Sequence, residues 1–109
     1  MKLEEVVWLN ELFDAYGELL SKNQKEIMAE SIKYNLSFSE IAENRKTSRQ
    51  SSFITLKLCI KKLEEFENKL GFIKKKSLVK AELEKALKSL EKGDSDSAEK
   101  VIKKLTEEI

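Results

Sequence analysis

The chain has 109 residues, of which 40% are hydrophobic and 38% charged, with three glycines and no proline. This length is enough for one domain with a modest core, and a proline-free sequence rich in Glu, Lys and Leu predicts an all-α fold. The net charge of +1 does not indicate nucleic-acid binding by the molecule as a whole, so any such binding would depend on a local cluster of basic residues.

Residues that usually carry catalysis are scarce. There is no histidine, the three glycines are isolated, and the carboxylates alternate with lysines at spacings typical of solvated helix surfaces. We therefore expect a non-enzymatic protein without a cofactor or a bound metal. The single cysteine, Cys59, is predicted to be a small apolar residue of a helix. A chain without a signal peptide or a membrane-spanning apolar run is expected to be cytoplasmic.

The first predicted helix, Leu3 to Leu20, carries apolar residues on two neighbouring faces, which is typical of a helix that is buried on two sides. Ser21 and Gln24 form a capping-box pair that predicts a second helix from Lys22 to Tyr34. Asn35 suits the left-handed conformation in which many helices end.

A helix-turn-helix is predicted between Leu36 and Leu63. The pair Ser37 and Glu40 predicts a short helix over Phe38–Asn44, and the pair Thr47 and Gln50 predicts another that begins near Ser48. Only three residues separate the two helices, which is the spacing of a motif whose second helix can enter the DNA major groove.

Two positions depart from the usual helix-turn-helix pattern. Lys46 occupies the turn position that is normally Gly, where a positive φ costs a residue with a Cβ on the order of 1 kcal/mol. Ser52 occupies a buried position that is usually Val or Ile, so its hydroxyl needs a hydrogen-bond partner.

The second helix of the motif is predicted to continue to Leu70, with Gly71 as its C-terminal cap. Phe53, Leu56, Ile60, Leu63 and Leu70 follow a heptad seam. The segment FIKKKS after Gly71 is predicted to be a joint. A C-terminal helical hairpin, with Gly93 at its turn and an Asp96–Glu99 capping box, is expected to pack on the long helix or on a partner subunit. We therefore predict two regions, residues 1–71 and 72–109.

Several segments resemble the YlxM-like family of small bacterial proteins. They are LFDAYGELLSKNQKEIM from Leu12, LSFSEIAE from Leu36, TSRQ from Thr47 and KKLEEFENKLG, which ends at Gly71. That family is similar to the promoter-reading fourth region of sigma factors. Its genes lie beside those for the GTPase of the signal recognition particle and the receptor of that particle. The resemblance covers about Leu12 to Gly71 and implies a sigma-region-4-like helix-turn-helix with a regulatory role in the signal recognition particle pathway.

The predicted nucleic-acid interface lies in a segment from Arg45 to Lys62 that contains six basic residues and no acidic one. Its candidate residues are Arg45, Lys46, Arg49, Gln50, Ser51, Lys57 and Lys61. Arg49 and Gln50 lie in the first turn, from which side chains reach base edges, and the lysines would contact phosphates of DNA or RNA. The alternative is an adaptor that uses this surface, or the seam from Leu63 to Leu70, to bind another protein, for which components of the signal recognition particle are the candidates.

Excess apolar surface predicts a homodimer. The first helix and the far half of the long helix carry more large apolar side chains than one small domain can cover. The predicted interface residues are Val6, Trp8, Leu12, Phe13, Leu63, Phe66 and Leu70.

Overall fold

The computed structural model describes residues 2–108, which form six α-helices, one 3-10 turn and no β-strand, so the predicted all-α class is confirmed. The helices are α1 (Leu3–Tyr16), α2 (Lys22–Ile32), α3 (Phe38–Arg45), α4 (Arg49–Leu70), α5 (Phe72–Glu91) and α6 (Ser95–Glu108), and the 3-10 turn (Gly17–Leu19) follows α1. The chain divides into two compact units, residues 1–71 and 72–109.

The first unit is built on α4, because α1, α2 and α3 all contact this helix. The buried line of α4 consists of Ser52, Leu56, Cys59 and Leu63. The predicted heptad seam is wrong at its two ends, because the side chains of Phe53 and Leu70 are 43% and 63% exposed. The α4 residues against the core follow a spacing of four, three and four, and Phe53 lies beside this line rather than on it.

Part of the far half of α4 is covered within the first unit, whereas Leu70 at its end is exposed. Tyr16 of α1 places its ring 6.0 Å from the ring of Phe66, and its hydroxyl donates a hydrogen bond to the Glu67 carboxylate. Leu12 and Leu63 are fully buried. These two leucines therefore belong to the core of one chain, and the sequence-based assignment of both to a subunit interface is corrected.

Local capping residues set most helix boundaries. The capping boxes of Ser21 with Gln24 and of Ser37 with Glu40 are both present. In each, the serine hydroxyl accepts a hydrogen bond from the backbone N–H three residues on, and the side chain of that residue accepts one from the serine backbone N–H. The hydrogen bonds from Ser37 hold the pKa of Glu40 below its ordinary value. Asn35, with φ of 54°, ends α2 two residues earlier than predicted.

Two predicted caps are displaced by one or two residues. Ser48, not Thr47, caps α4, because its Oγ accepts a hydrogen bond of 3.0 Å from the backbone N–H of Ser51. In the second unit Asp94, not Asp96, accepts a hydrogen bond of 3.1 Å from the backbone N–H of Ser97. The hydroxyl and backbone of Ser97 both donate to this carboxylate and lower the pKa of Asp94.

The second unit is a hairpin of α5 and α6, whose turn contains Gly93 with φ of 80°. The predicted joint at FIKKKS is wrong, because helix α5 already begins at Phe72, directly after the left-handed Gly71. The buried residues of the hairpin are Ala86 on α5 and Ala98 and Leu105 on α6. Several large side chains of the hairpin are about half exposed, namely Leu78, Leu83, Leu87, Leu90 and Ile102.

Arg45 joins α2 to the end of α3. Its guanidinium donates to the Glu30 carboxylate at 2.8 Å, to Glu26 at 3.3 Å and to the side-chain oxygen of Asn23. Only 17% of the Arg45 side chain and 20% of that of Glu30 are exposed. Among residues 2–108, the second oxygen of Glu30, Oε2, is buried without a hydrogen-bond partner. The Glu30 carboxylate has therefore lost much of its hydration, and the ion pair with Arg45 compensates for this loss.

We predict that Arg45→Ala lowers the free energy of unfolding by about 1–3 kcal/mol, because it leaves Glu30 unpaired in a partly buried position. The double change Arg45→Ala with Glu30→Gln is expected to recover part of this loss. Lys33→Ala is the matched control, since it removes an exposed ion pair of 3.0 Å to Asp14. We expect it to lower the free energy of unfolding by only about 0–1 kcal/mol. Urea unfolding followed by Trp8 fluorescence measures the free energy of unfolding of the first unit. Equal losses for Arg45→Ala and Lys33→Ala would contradict this account.

The strained turn gives a second prediction. Lys46 adopts the left-handed conformation with φ of 55°. Lys46→Gly is expected to raise the free energy of unfolding by about 0.5–1 kcal/mol, because Gly has no Cβ to strain. The control Lys61→Gly lies in the exposed interior of α4 and should lower it by about 1 kcal/mol. A destabilised Lys46→Gly protein in the same urea experiment would show that the Lys46 side chain offsets its own strain.

Candidate nucleic-acid interface

The turn between α3 and α4 has three residues, Lys46 to Ser48, which is a length typical of a helix-turn-helix. Lys46 closes α3, and its backbone N–H bonds back to Glu43, while the backbone N–H of Thr47 bonds to the carbonyl of Ala42 at 3.0 Å. The hydroxyls of Thr47 and Ser52 lie 3.3 Å apart, so the buried Ser52 has the partner that its position requires. Both unusual residues are thus accommodated locally, and α4 begins at Arg49 with its first turn in solvent.

Most of the predicted nucleic-acid residues lie on the surface. The exposed ones are Lys46, Arg49, Gln50, Ser51, Lys57 and Lys61. Among residues 2–108, Arg49 and Lys61 form no ion pair, so both charges are free for an external partner. Arg45 differs, because its guanidinium is engaged by α2, and we leave it out of the interface.

These side chains follow one side of α4. Gln50, Lys57 and Lys61 share a face because they are separated by seven and four residues, and Arg49 stands at its N-terminal edge. The rise of about 1.5 Å per residue spreads this face over about 18 Å from Arg49 to Lys61. Such a length is compatible with base contacts near the helix start and phosphate contacts further along.

Three apolar side chains share this exposed surface and were missed by the sequence analysis. Phe53, Ile54 and Leu58 are 43%, 50% and 55% exposed. Phe53 meets Phe38 edge to face at 5.2 Å, and the ammonium of Lys57 lies 5.4 Å from the centre of the Phe53 ring. The signal was available, since Phe53 and Ile54 follow Arg49 and Gln50 by four residues on the same helix. The outer face of α4 is therefore both basic and apolar.

Two depressions flank the start of α4. One, of about 460 Å³, is lined by Phe38, Arg49, Gln50 and Phe53. The other, of about 380 Å³, is lined mainly by polar side chains of α2, of the end of α3, of the turn and of α4, including those of Arg45, Thr47 and Ser51. Both open beside the residues predicted to reach nucleic acid.

Other chemistry is not assembled in the part of the chain that the structure describes. Within residues 2–108 no group of three or more His, Cys, Asp or Glu side chains is placed to hold a metal ion. Cys59 is fully buried, as the apolar interpretation predicted, and this burial raises the pKa of its thiol. None of the described helices is long and apolar enough to cross a membrane.

The remaining predicted dimer residues differ in exposure. Trp8 and Leu70 are 37% and 63% exposed, whereas Val6, Phe13 and Phe66 are intermediate. The most exposed apolar side chains of α1 are Leu3 and Val7, at 78% and 50%, and these were not among the predicted interface residues. The homodimer stays a prediction, and the apolar surface available for it includes Trp8 and Leu70 together with residues outside the predicted set.

Comparison with known proteins identifies the family. The model of the UPF0122 family, described as "Putative helix-turn-helix protein, YlxM / p13 like", matches residues 3–106. The match therefore extends beyond Leu12–Gly71 to the C-terminal hairpin. No solved structure shows significant similarity to the chain.

Curated relatives agree with this match. A UPF0122 protein of Fusobacterium nucleatum is 37% identical over 83 residues, which are 76% of this chain and 81% of the relative. One of Clostridium kluyveri is 31% identical over 103 residues, 94% of this chain and 93% of the relative. One of Clostridium perfringens is 37% identical over 101 residues, 90% of each chain. The chain therefore belongs to the UPF0122 family of YlxM- and p13-like helix-turn-helix proteins.

Proposed function

We propose that this protein is a cytoplasmic, non-enzymatic regulator that binds nucleic acid through the N-terminal half of α4 and acts in connection with the signal recognition particle pathway. The observation that carries the binding proposal is the free, exposed first turn of α4, where Arg49 and Gln50 follow directly on the helix-turn-helix turn. The pathway rests on the resemblance to YlxM-like proteins alone.

The proposed contacts divide by chemistry. The Arg49 guanidinium can pair bidentately with guanine and the Gln50 amide with adenine, which would supply sequence preference. Lys46, Lys57 and Lys61 would neutralise phosphates, which supplies affinity but no preference. The segment from Arg45 to Lys62 contains no carboxylate that would repel a phosphate backbone.

An adaptor is the second candidate, and the exposed Phe53, Ile54 and Leu58 favour it. These side chains form no hydrogen bonds with base edges, but they would bury apolar area against a protein. In this case the GTPase of the signal recognition particle and the receptor of that particle are the proposed partners. The two candidates differ in salt dependence, because apolar contacts are not weakened by added salt.

We predict that affinity for genomic duplex fragments falls steeply with salt in fluorescence anisotropy. Lys57→Ala with Lys61→Ala should weaken binding to all sequences alike and reduce the slope of log K against log salt by about 2. Arg49→Ala with Gln50→Ala should instead reduce the preference among sequences, by roughly 1–3 kcal/mol for each lost contact.

Lys76→Ala with Lys80→Ala is the matched control, because it removes two exposed lysines four residues apart on α5. We expect this variant to bind as the wild type does. If the wild type shows no salt-dependent association with either duplex or single-stranded fragments at low ionic strength, the nucleic-acid proposal is wrong.

For the adaptor we predict that the purified particle GTPase or its receptor binds the protein in an interaction that persists at high salt. Phe53→Ser with Leu58→Ser should abolish this binding without unfolding the protein, since both side chains are about half exposed. Calorimetry with each purified partner measures it. Unchanged binding by this variant would place the contact on another surface.

A further inference from the structure

We infer that a second copy of this chain docks the outer face of its α1 on the outer face of α4, and that this self-association covers the proposed nucleic-acid surface. The outer face of α1 is defined by Leu3, Glu4, Val7, Trp8 and Glu11. The outer face of α4 is defined by Gln50, Phe53, Ile54, Lys57, Leu58 and Lys61.

The outer face of α1 is apolar and acidic. Leu3, Val7 and Trp8 are 78%, 50% and 37% exposed, although the opposite side of the same helix is buried through Leu9, Leu12 and Tyr16. Glu4 and Glu11 lie seven residues apart on this exposed side and are in solvent. Between Lys2 and Leu20 the chain carries five acidic residues and one basic residue.

The outer face of α4 has the same apolar character and the opposite charge. Phe53, Ile54 and Leu58 are exposed beside Lys57 and Lys61, and the surrounding segment holds only basic charges. Exposed apolar patches rimmed by polar residues mark protein interaction sites. A partner for this face must supply apolar side chains at helical spacing together with carboxylates.

The outer face of α1 meets both requirements. Among residues 2–108, neither Glu4 nor Glu11 forms an ion pair, and neither does Lys61. A two-fold dimer would form the contact twice, with α1 of each copy on α4 of the other. Complementary charges would set the orientation of the pair, while burial of the apolar side chains would supply most of the stabilisation.

Self-association of this kind has a regulatory consequence, which rests on the proposed function. Gln50, Lys57 and Lys61 would be covered in the dimer, so the dimer and the nucleic-acid complex would exclude each other. Nucleic acid that binds only the monomer would then dissociate the dimer by mass action. A rising concentration of the protein would in turn reduce the fraction that is competent to bind.

Charge reversal on the full-length protein tests the docking. Sedimentation equilibrium at low salt should show a dimer for the wild type. Glu4→Lys with Glu11→Lys, or Lys57→Glu with Lys61→Glu, should each raise the dimer dissociation constant about tenfold or more. The combined fourfold variant should restore the dimer, because the charges are again complementary. Added salt should weaken the wild-type dimer.

Matched reversals elsewhere separate this contact from general charge effects. Glu84→Lys with Glu91→Lys, and Lys76→Glu with Lys80→Glu, change exposed residues of α5 at the same spacings and should leave the dissociation constant unchanged. Ile54→Ser with Leu58→Ser should weaken the dimer at every salt concentration, since it removes the apolar part of the contact. Circular dichroism confirms that each variant is folded.

Three results would overturn the inference: a wild type that is monomeric at all concentrations, a dimer that is indifferent to both reversals, or a fourfold variant that stays monomeric. Nucleic-acid binding is measured separately on the same proteins. The Glu4→Lys, Glu11→Lys variant should bind nucleic acid at least as tightly as the wild type, whereas the fourfold variant should dimerise without binding it. Failure of nucleic-acid binding alone would therefore refute the proposed function and leave the docking standing.

Discussion

Burial of one line of α4 is the constraint on which the first unit depends. The buried residues of α4 are Ser52, Leu56, Cys59 and Leu63, and α1, α2 and α3 all contact this helix. Because one side of α4 packs in the core, its opposite side faces solvent. The orientation of α4 in the core thus determines which residues can meet a partner.

Local hydrogen bonds explain why an unusual turn is tolerated. Lys46 in a left-handed conformation and Ser52 in a buried position are each unfavourable alone. The first is held by backbone hydrogen bonds from the turn to the end of α3, and the second by the Thr47 hydroxyl. The short turn between α3 and α4 is therefore retained, although the usual Gly and Val or Ile are absent.

The exposed side of α4 combines two recognition chemistries. Its basic side chains suit phosphates, and its apolar side chains suit a protein surface. If both kinds of partner bind this face, as we propose, each would exclude the other without a conformational change, and this competition would be a simple means of regulation. The acidic and apolar side of α1 is the complementary surface on which the proposed self-association rests.

Local sequence by itself determined the helical class, the two capping boxes at Ser21 and Ser37, and the positive φ of Lys46, because each depends on residues within one turn of helix. It could not decide between Thr47 and Ser48 as the cap of α4, since both carry a suitable hydroxyl and Thr47 lies instead against the buried Ser52. Only the tertiary structure showed that the Arg45 guanidinium forms ion pairs with Glu30 and Glu26, which lie fifteen and nineteen positions away in the sequence. The tertiary structure likewise decided that Phe53 is exposed and that Leu12 and Leu63 are buried. The reason is that helices distant in sequence pack on α4, and the periodicity of one helix does not specify that packing.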